Sequence, residues 1–266
     1  MPSIQEWHRE AYSAIASNQF SIYSAMPVRH ILEFQSAVRV NLGIREESDL
    51  AFYKFYRMMD TWDESLIASF IDYFICHLPS VRHDPSLPRD LADELERRLD
   101  QGGSTWAVGV INGRYRLVDR VPAGVRATVE SVMSREGKSS ELLRQSWGKA
   151  YGVDKNPSHA YFDAVRAVEV LSCPLFSPAD AEPTLGKDIN VLRNGIHKFS
   201  FVMADSGKSG TSLEKVLAMM QLLWHSQTDR HGKNDYQGVS VEEAQAAVLL
   251  ASTLIGFFSQ GAIKRL

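Results

Sequence analysis

The chain has 266 residues, 44% hydrophobic and 23% charged, which is enough to bury a core in one large domain or two smaller ones. A net charge of −3, from 29 Lys and Arg against 32 Asp and Glu, excludes a surface that is basic throughout but not a local basic cleft. The only two cysteines, Cys76 and Cys173, exclude a disulfide framework and a four-cysteine zinc site. Because there is no leader-like N-terminus and no uninterrupted apolar run near ~20 residues, we expect a cytoplasmic protein with no membrane partner.

Hydrophobic periodicity predicts helices through most of the first hundred residues. One helix is expected at 4–16 and a second at 27–43. Residues 47–78 are rich in aromatic side chains and are divided at 60–63, so we expect two helices whose aromatic stripes lie in the core. A charged helix is predicted at 89–99, and a Gly pair ends it.

The pattern then changes from helix to strand. Residues 105–121 are rich in Val, Ile, Trp and Tyr on either side of Asn112-Gly113, which is a strong signal for a two-residue hairpin turn. The sequence therefore predicts one β-hairpin at about 105–121. Three arginines alternate around it: Arg114, Arg116 and Arg120. They form either a cationic face that binds an RNA substrate or a charged guard on a solvated edge strand.

Helical periodicity resumes after the hairpin. We therefore predict a mainly α-helical protein of two units, 1–124 with the hairpin and 125–266 as a helical bundle. Within the second unit, three prolines predict a loop: Pro174, Pro178 and Pro183. Two amphipathic helices with apolar faces at 213–224 and 244–258 bracket a polar loop.

The polar loop and its flanks carry a family resemblance. They read LLWHSQTDRHGKNDYQGVSVEEAQAAVLLASTLIGFF, with a polar segment closing on His231-Gly232 and a following helix that opens at Ser240-Val241-Glu242-Glu243-Ala244. This arrangement resembles the HEPN-like C-terminal region of bacterial and phage abortive infection proteins. The upstream pieces SWGKAYG, AYFDAVRAVEVL and TLGKDINVL resemble the preceding helices of that family, so the resemblance spans roughly 141–266.

The resemblance implies a role in antiviral defence and a homodimer that binds RNA in a shared cleft, with no metal and no cofactor. In such a cleft Arg would bind phosphate and His would assist proton transfer. On the matching position the resemblance implies His231 as a catalytic residue, and Arg230 beside it or His225 upstream could supply the cation, so we expect these three to be catalytic. As orienting groups we expect Glu169, a carboxylate at the apolar edge of its helix that needs a partner such as Arg230, and Asp229.

The Arg-to-His spacing of HEPN-type ribonucleases, with four to six intervening residues, is found before none of the eight histidines. Arg193 and His197 come nearest, with one intervening residue too few. Two functions therefore stay open. One is an abortive infection effector that binds RNA and cleaves it as a metal-independent endoribonuclease. The other is a non-catalytic dimeric protein that recognises a phage or host partner.

Overall fold

The computed structural model describes residues 2–18, 28–44, 52–78, 84–204, 211–225 and 238–266. Over these ranges the protein is mainly helical with two small antiparallel strand pairs, which confirms the predicted fold class. The chain divides into two compact units, Met1–Arg120 and Val121–Leu266, whereas the sequence placed the boundary at residue 124. We call them unit 1 and unit 2.

The described part of unit 1 consists of five helices and a hairpin: α1 Pro2–Asn18, α2 Val28–Val38, α3 Phe52–Met59, α4 Glu64–Cys76, α5 Leu87–Gln101, β1 Trp106–Ile111 and β2 Arg114–Asp119. The predicted break within the aromatic region is confirmed, because Asp63 caps α4 by accepting a hydrogen bond from the Leu66 amide at 2.8 Å. The aromatic stripes form the core as predicted: the buried rings of Phe55 and Phe70 lie 5.5 Å apart.

The hairpin is the most local prediction and it is confirmed. Strands β1 and β2 pair antiparallel, with Val110 opposite Tyr115. Asn112 and Gly113 have φ angles of 53° and 74°, as a type I′ turn requires at both central positions. Asn tolerates this left-handed conformation and Gly adopts it without a steric cost.

The described part of unit 2 contains α6 Ala123–Met133, α7 Lys138–Tyr151, α8 Pro157–Phe176, α9 Leu185–Asn194, β3 Phe199–Phe201, α10 Ser212–His225, α11 Val241–Ser259 and β4 Ile263–Arg265. A capping box starts α11: the Ser240 hydroxyl accepts from the Glu243 amide, and the Glu243 carboxylate accepts from the Ser240 amide. By length and composition alone, α11 is the one described helix that could cross a membrane. Here it packs against α7 and α8.

Two features of unit 2 differ from the sequence predictions. The loop predicted from Pro174 is wrong at its start, because α8 continues through Pro174 to Phe176. Pro174 lies in the last turn of α8, so it removes only the one helical hydrogen bond to the Val170 carbonyl, and its neighbours Cys173 and Phe176 are buried. The strand pair β3–β4 was not predicted, since each strand has only three residues and the two are far apart in sequence.

Candidate nucleic-acid interface

The residues that the family resemblance singles out lie mostly outside the described ranges. His231, Arg230 and Asp229 fall in 226–237, which the structure does not describe. His225 is the last residue of α10, and its side chain is also outside the described part. The catalytic roles of these residues and the orienting role of Asp229 stay predictions.

Glu169, the other predicted orienting group, is described and has a definite local contact. Its Oε1 accepts a hydrogen bond from the Leu185 amide at 2.8 Å, at the first residue of α9. A carboxylate at this position satisfies one of the open backbone donors of the helix and interacts favourably with the helix dipole. Glu169 therefore joins α8 to the start of α9, and its role beside a catalytic histidine stays a prediction.

Two of the three hairpin arginines form ion pairs within unit 1. Arg116 contacts the buried carboxylate of Asp72 through Nε at 2.9 Å and Nη2 at 2.6 Å, and Asp72 also accepts from the Leu117 amide. Arg120 donates to Glu96 at 2.7 Å and to Asp100 at 3.2 Å. These bonds hold the hairpin against α4 and α5 and neutralise both cations.

Arg114 lies next to the hairpin turn and is exposed. The RNA-binding role of Arg114, Arg116 and Arg120 stays a prediction. Only Arg114, however, offers a charge that no described carboxylate neutralises.

Unit 2 presents a different kind of basic surface at β3–β4. The inner face of this strand pair is apolar, because Phe199 packs on Phe176 with centroids 5.0 Å apart and Phe201 packs on Phe257 at 5.2 Å. Strand pairing places Ser200 opposite Lys264, and side-chain alternation directs this pair to the other face. The two strands therefore form a small platform with one buried and one exposed side.

Three exposed cations lie around this strand pair, and we call them the strand-pair cations: Lys198, Lys264 and Arg265. Lys264 projects from the exposed face together with Ser200, whereas Arg265 is paired with Phe199 and projects at the edge of the other face. The aliphatic stem of Lys198 lies against Gly195 at the end of α9, and the guanidinium of Arg265 lies 5.9 Å from the ring centre of Phe199. Over the described ranges none of the three forms an ion pair. The neighbouring sequence supplies no acidic partner either, since neither 189–204 nor 244–266 contains Asp or Glu.

Cys173 can be set aside as a nucleophile. Burial, followed by the nearby charge of Asp188, raises the pKa of its thiol to about 12, so the thiol stays protonated near neutral pH. Among the described residues, no group of three or more His, Cys, Asp or Glu side chains is arranged to hold a metal ion. The expectation that the site uses neither metal nor cofactor stays a prediction.

Sequence reasoning missed the strand-pair cations, because Lys198 follows a helix and the other two follow an apolar helix with no recognisable motif. The long acid-free stretches were the available signal. In comparisons with known proteins, no family model, no curated protein and no solved structure matches the chain. The resemblance to abortive infection proteins is therefore neither supported nor contradicted by relatives.

Proposed function

We propose that the protein is an antiviral abortive infection effector that binds RNA through unit 2. The observation that carries the RNA-binding part is the set of strand-pair cations, which are exposed and have no carboxylate partner over the described ranges. Phosphate groups are the ligands that such cations fit, because they replace the missing counter-charges. The acidic net charge of the chain does not oppose RNA binding, because many acidic residues are bound to cations elsewhere, as Asp72 is to Arg116 and Glu96 is to Arg120.

The affinity of such cations for RNA falls as the salt concentration rises, by an amount that depends on the number of phosphates they neutralise. Each phosphate neutralised on a single strand contributes about −0.7 to the slope of log K against log salt concentration. Three cations that each contact one phosphate would therefore give a slope near −2. The part of the slope that is lost when these cations are removed measures how many of them touch RNA.

The test is a salt titration of RNA affinity with two variants of equal charge. In the first, Lys198, Lys264 and Arg265 are each replaced by Gln. In the matched control the exposed cations Arg89, Arg166 and Lys215 are replaced by Gln instead. We expect the first variant to lose most of the slope and the control to keep it. Equal losses in the two variants would show that net charge, not this surface, binds RNA.

The cleavage part of the proposal rests on the resemblance. In it, His231 transfers a proton, Arg230 and His225 supply positive charge near the phosphate, and a homodimer in the cytoplasm brings two such loops together. RNA incubated with wild type and with His231→Ala tests it: cleavage must fall in the variant while RNA binding is kept. Equal cleavage by both proteins removes His231 from the mechanism.

A second candidate function is a non-catalytic dimer that recognises a phage or host protein. It is favoured by the absence of the Arg-to-His spacing from the whole sequence. Phage plating on cells that express wild type or His231→Ala separates the two. Protection that is equal in both strains, with no RNA cleavage in vitro, favours the second candidate.

A further inference from the structure

A groove runs along one face of α9 and is closed at one end by Trp224 of α10. Its cavity measures about 310 Å³, near the lower limit of volumes typical for small-molecule sites. The main lining residues are Thr184, Gly186, Lys187, Asn190, Arg193 and Trp224. We propose that this α9 groove binds one nucleotide, with the base against Trp224 and the phosphate at Arg193. The proposal deepens the RNA-binding function above and rests on it.

Gly186 brings the indole of Trp224 directly onto the first turn of α9. A Cβ atom built on Gly186 would lie 2.4 Å from Cζ2 and 2.6 Å from Cε2 of Trp224, closer than any side chain allows. Trp224 itself is half-buried and lines the cavity. The groove therefore has an aromatic wall that depends on the missing side chain of Gly186. Nucleobases stack on such walls whatever their identity.

Arg193 supplies the positive charge at the other end. It lies two helical turns from Gly186, or ~10 Å along the helix axis. Its Nη1 donates to the Asn190 side-chain oxygen at 3.1 Å, and it forms no ion pair with any described residue. Asn190 thus holds the guanidinium while most of its five N–H donors remain for a ligand, in the planar arrangement that suits phosphate.

Lys187 also lines the groove, but its charge is already balanced. Its Nζ donates to Asp180 at 2.9 Å and to the Glu182 carbonyl at 2.6 Å, and this contact holds the pKa of Asp180 below its usual value. The unbalanced charge of the groove is therefore at the Arg193 end, opposite the aromatic end. A ligand with one flat apolar part and one anionic part matches this polarity.

A buried polar cluster fixes the helix that forms the groove. Asp188, which is fully buried, accepts hydrogen bonds from the hydroxyls of Ser172 and Ser177, each at 2.7 Å. Ser172 lies near the end of α8 and Ser177 directly follows that helix, so these bonds hold the side of α9 that faces away from the groove. Such anchoring lowers the entropic cost of binding, because the site is formed before the ligand arrives.

The binding experiment compares a short single-stranded RNA with an abasic strand of the same length, by fluorescence anisotropy. The proteins are wild type, Trp224→Leu, Arg193→Gln and, as a control for charge on the same helix as Trp224, Lys215→Gln. Leu keeps an apolar contact with Gly186, and thermal unfolding verifies that each variant is folded. We expect wild type to prefer the RNA over the abasic strand by roughly 5- to 100-fold, as one stacked base provides.

Trp224→Leu should abolish that preference and leave the abasic strand unaffected. Arg193→Gln should reduce the salt slope by about 0.7, and Lys215→Gln should change neither. If wild type binds both strands equally, the α9 groove does not hold a base, although RNA binding by the strand-pair cations stands.

A calorimetric titration with adenosine monophosphate distinguishes a free nucleotide from a nucleotide within a strand. If RNA does not bind, the RNA-binding proposal fails. Binding of the mononucleotide to wild type but not to Trp224→Leu then still supports the groove. If neither ligand depends on Trp224, the groove proposal is wrong.

Discussion

The hairpin of unit 1 and the strand pair of unit 2 are both short antiparallel elements that carry basic side chains, yet the environments of those side chains are opposite. In the hairpin, Arg116 and Arg120 are bound by carboxylates from α4 and α5. In the strand pair, Lys264 and Arg265 meet no described carboxylate. Basic side chains thus hold the structure together in one unit and are exposed without a described carboxylate partner in the other.

A pattern of cations in sequence therefore does not by itself indicate a nucleic-acid surface. What decides is whether acidic residues elsewhere in the chain reach them. Asp72 lies 44 residues before Arg116, and Glu96 lies 24 residues before Arg120. A hydrogen bond to a charged group is stronger than a neutral one, so these pairs are expected to persist in solution.

The largest effect is expected when the hairpin loses its buried carboxylate. Asp72→Ala leaves Arg116 without its partner and the Leu117 amide without its acceptor, so unit 1 should lose about 3 kcal/mol of unfolding free energy. Urea unfolding measures this. Asp93→Ala, which removes an exposed pair with Arg89, is the matched control and should cost less than about 1 kcal/mol. Similar losses in both variants would contradict the structural role of the hairpin pair.

At pH 5, unit 1 should have lost about 2 kcal/mol of its unfolding free energy through His8, a loss that unit 2 should not share. His8 of unit 1 is fully buried among aromatic rings, and burial lowers its pKa to about 3 from an ordinary 6.5. The unfolded state therefore takes up the proton first, so stability is complete above pH 6.5 and falls as the pH drops toward 3. The histidines of unit 2 whose side chains are described, His159 and His197, are exposed.

The variant His8→Phe checks this assignment by urea unfolding between pH 7.5 and pH 5. It should flatten the loss of stability with acid, at a cost of about 1 kcal/mol at neutral pH, because Tyr56 loses its 2.9 Å hydrogen bond to the imidazole. His159→Phe, at an exposed position, is the control and should keep the wild-type pH dependence. If the variants at His8 and His159 behave alike, another group causes the acid sensitivity.

The smallest predicted effect is a change in RNA affinity. It is expected when Arg120 loses its carboxylate partners, because the hairpin then carries an exposed charge as the strand pair does. Glu96→Gln together with Asp100→Asn removes both charges beside Arg120. Arg120 should then become available to phosphate and steepen the salt slope of RNA binding by about 0.7. As a control, Glu136→Gln with Glu242→Gln changes the net charge equally in unit 2 at exposed carboxylates that pair with no described cation. An equal change in slope in both double variants would mean that Arg120 does not reach RNA.

The sequence predicted correctly those features that neighbouring residues specify, and it missed those that depend on distant parts of the chain. The hairpin was predictable because Asn112-Gly113 specifies its turn without help from the rest of the chain. The partners of Arg116 and Arg120 were not, because ion pairs over such separations depend on tertiary packing. Trp224 was correctly placed on an apolar helix face, but its contact with Gly186 depends on how α9 and α10 meet. No periodicity reveals that contact.

The pairing of β3 with β4 has a consequence for the order of folding. The two strands are separated in sequence by the whole of α10 and α11, so we expect them to meet late, after α11 has docked onto α8. Contacts that close long loops form late, because the entropy of the loop must be lost before they add stability. We therefore expect Lys264 and Arg265 to join Lys198 only in a completed unit 2. A nascent or partly unfolded chain would lack this cationic surface.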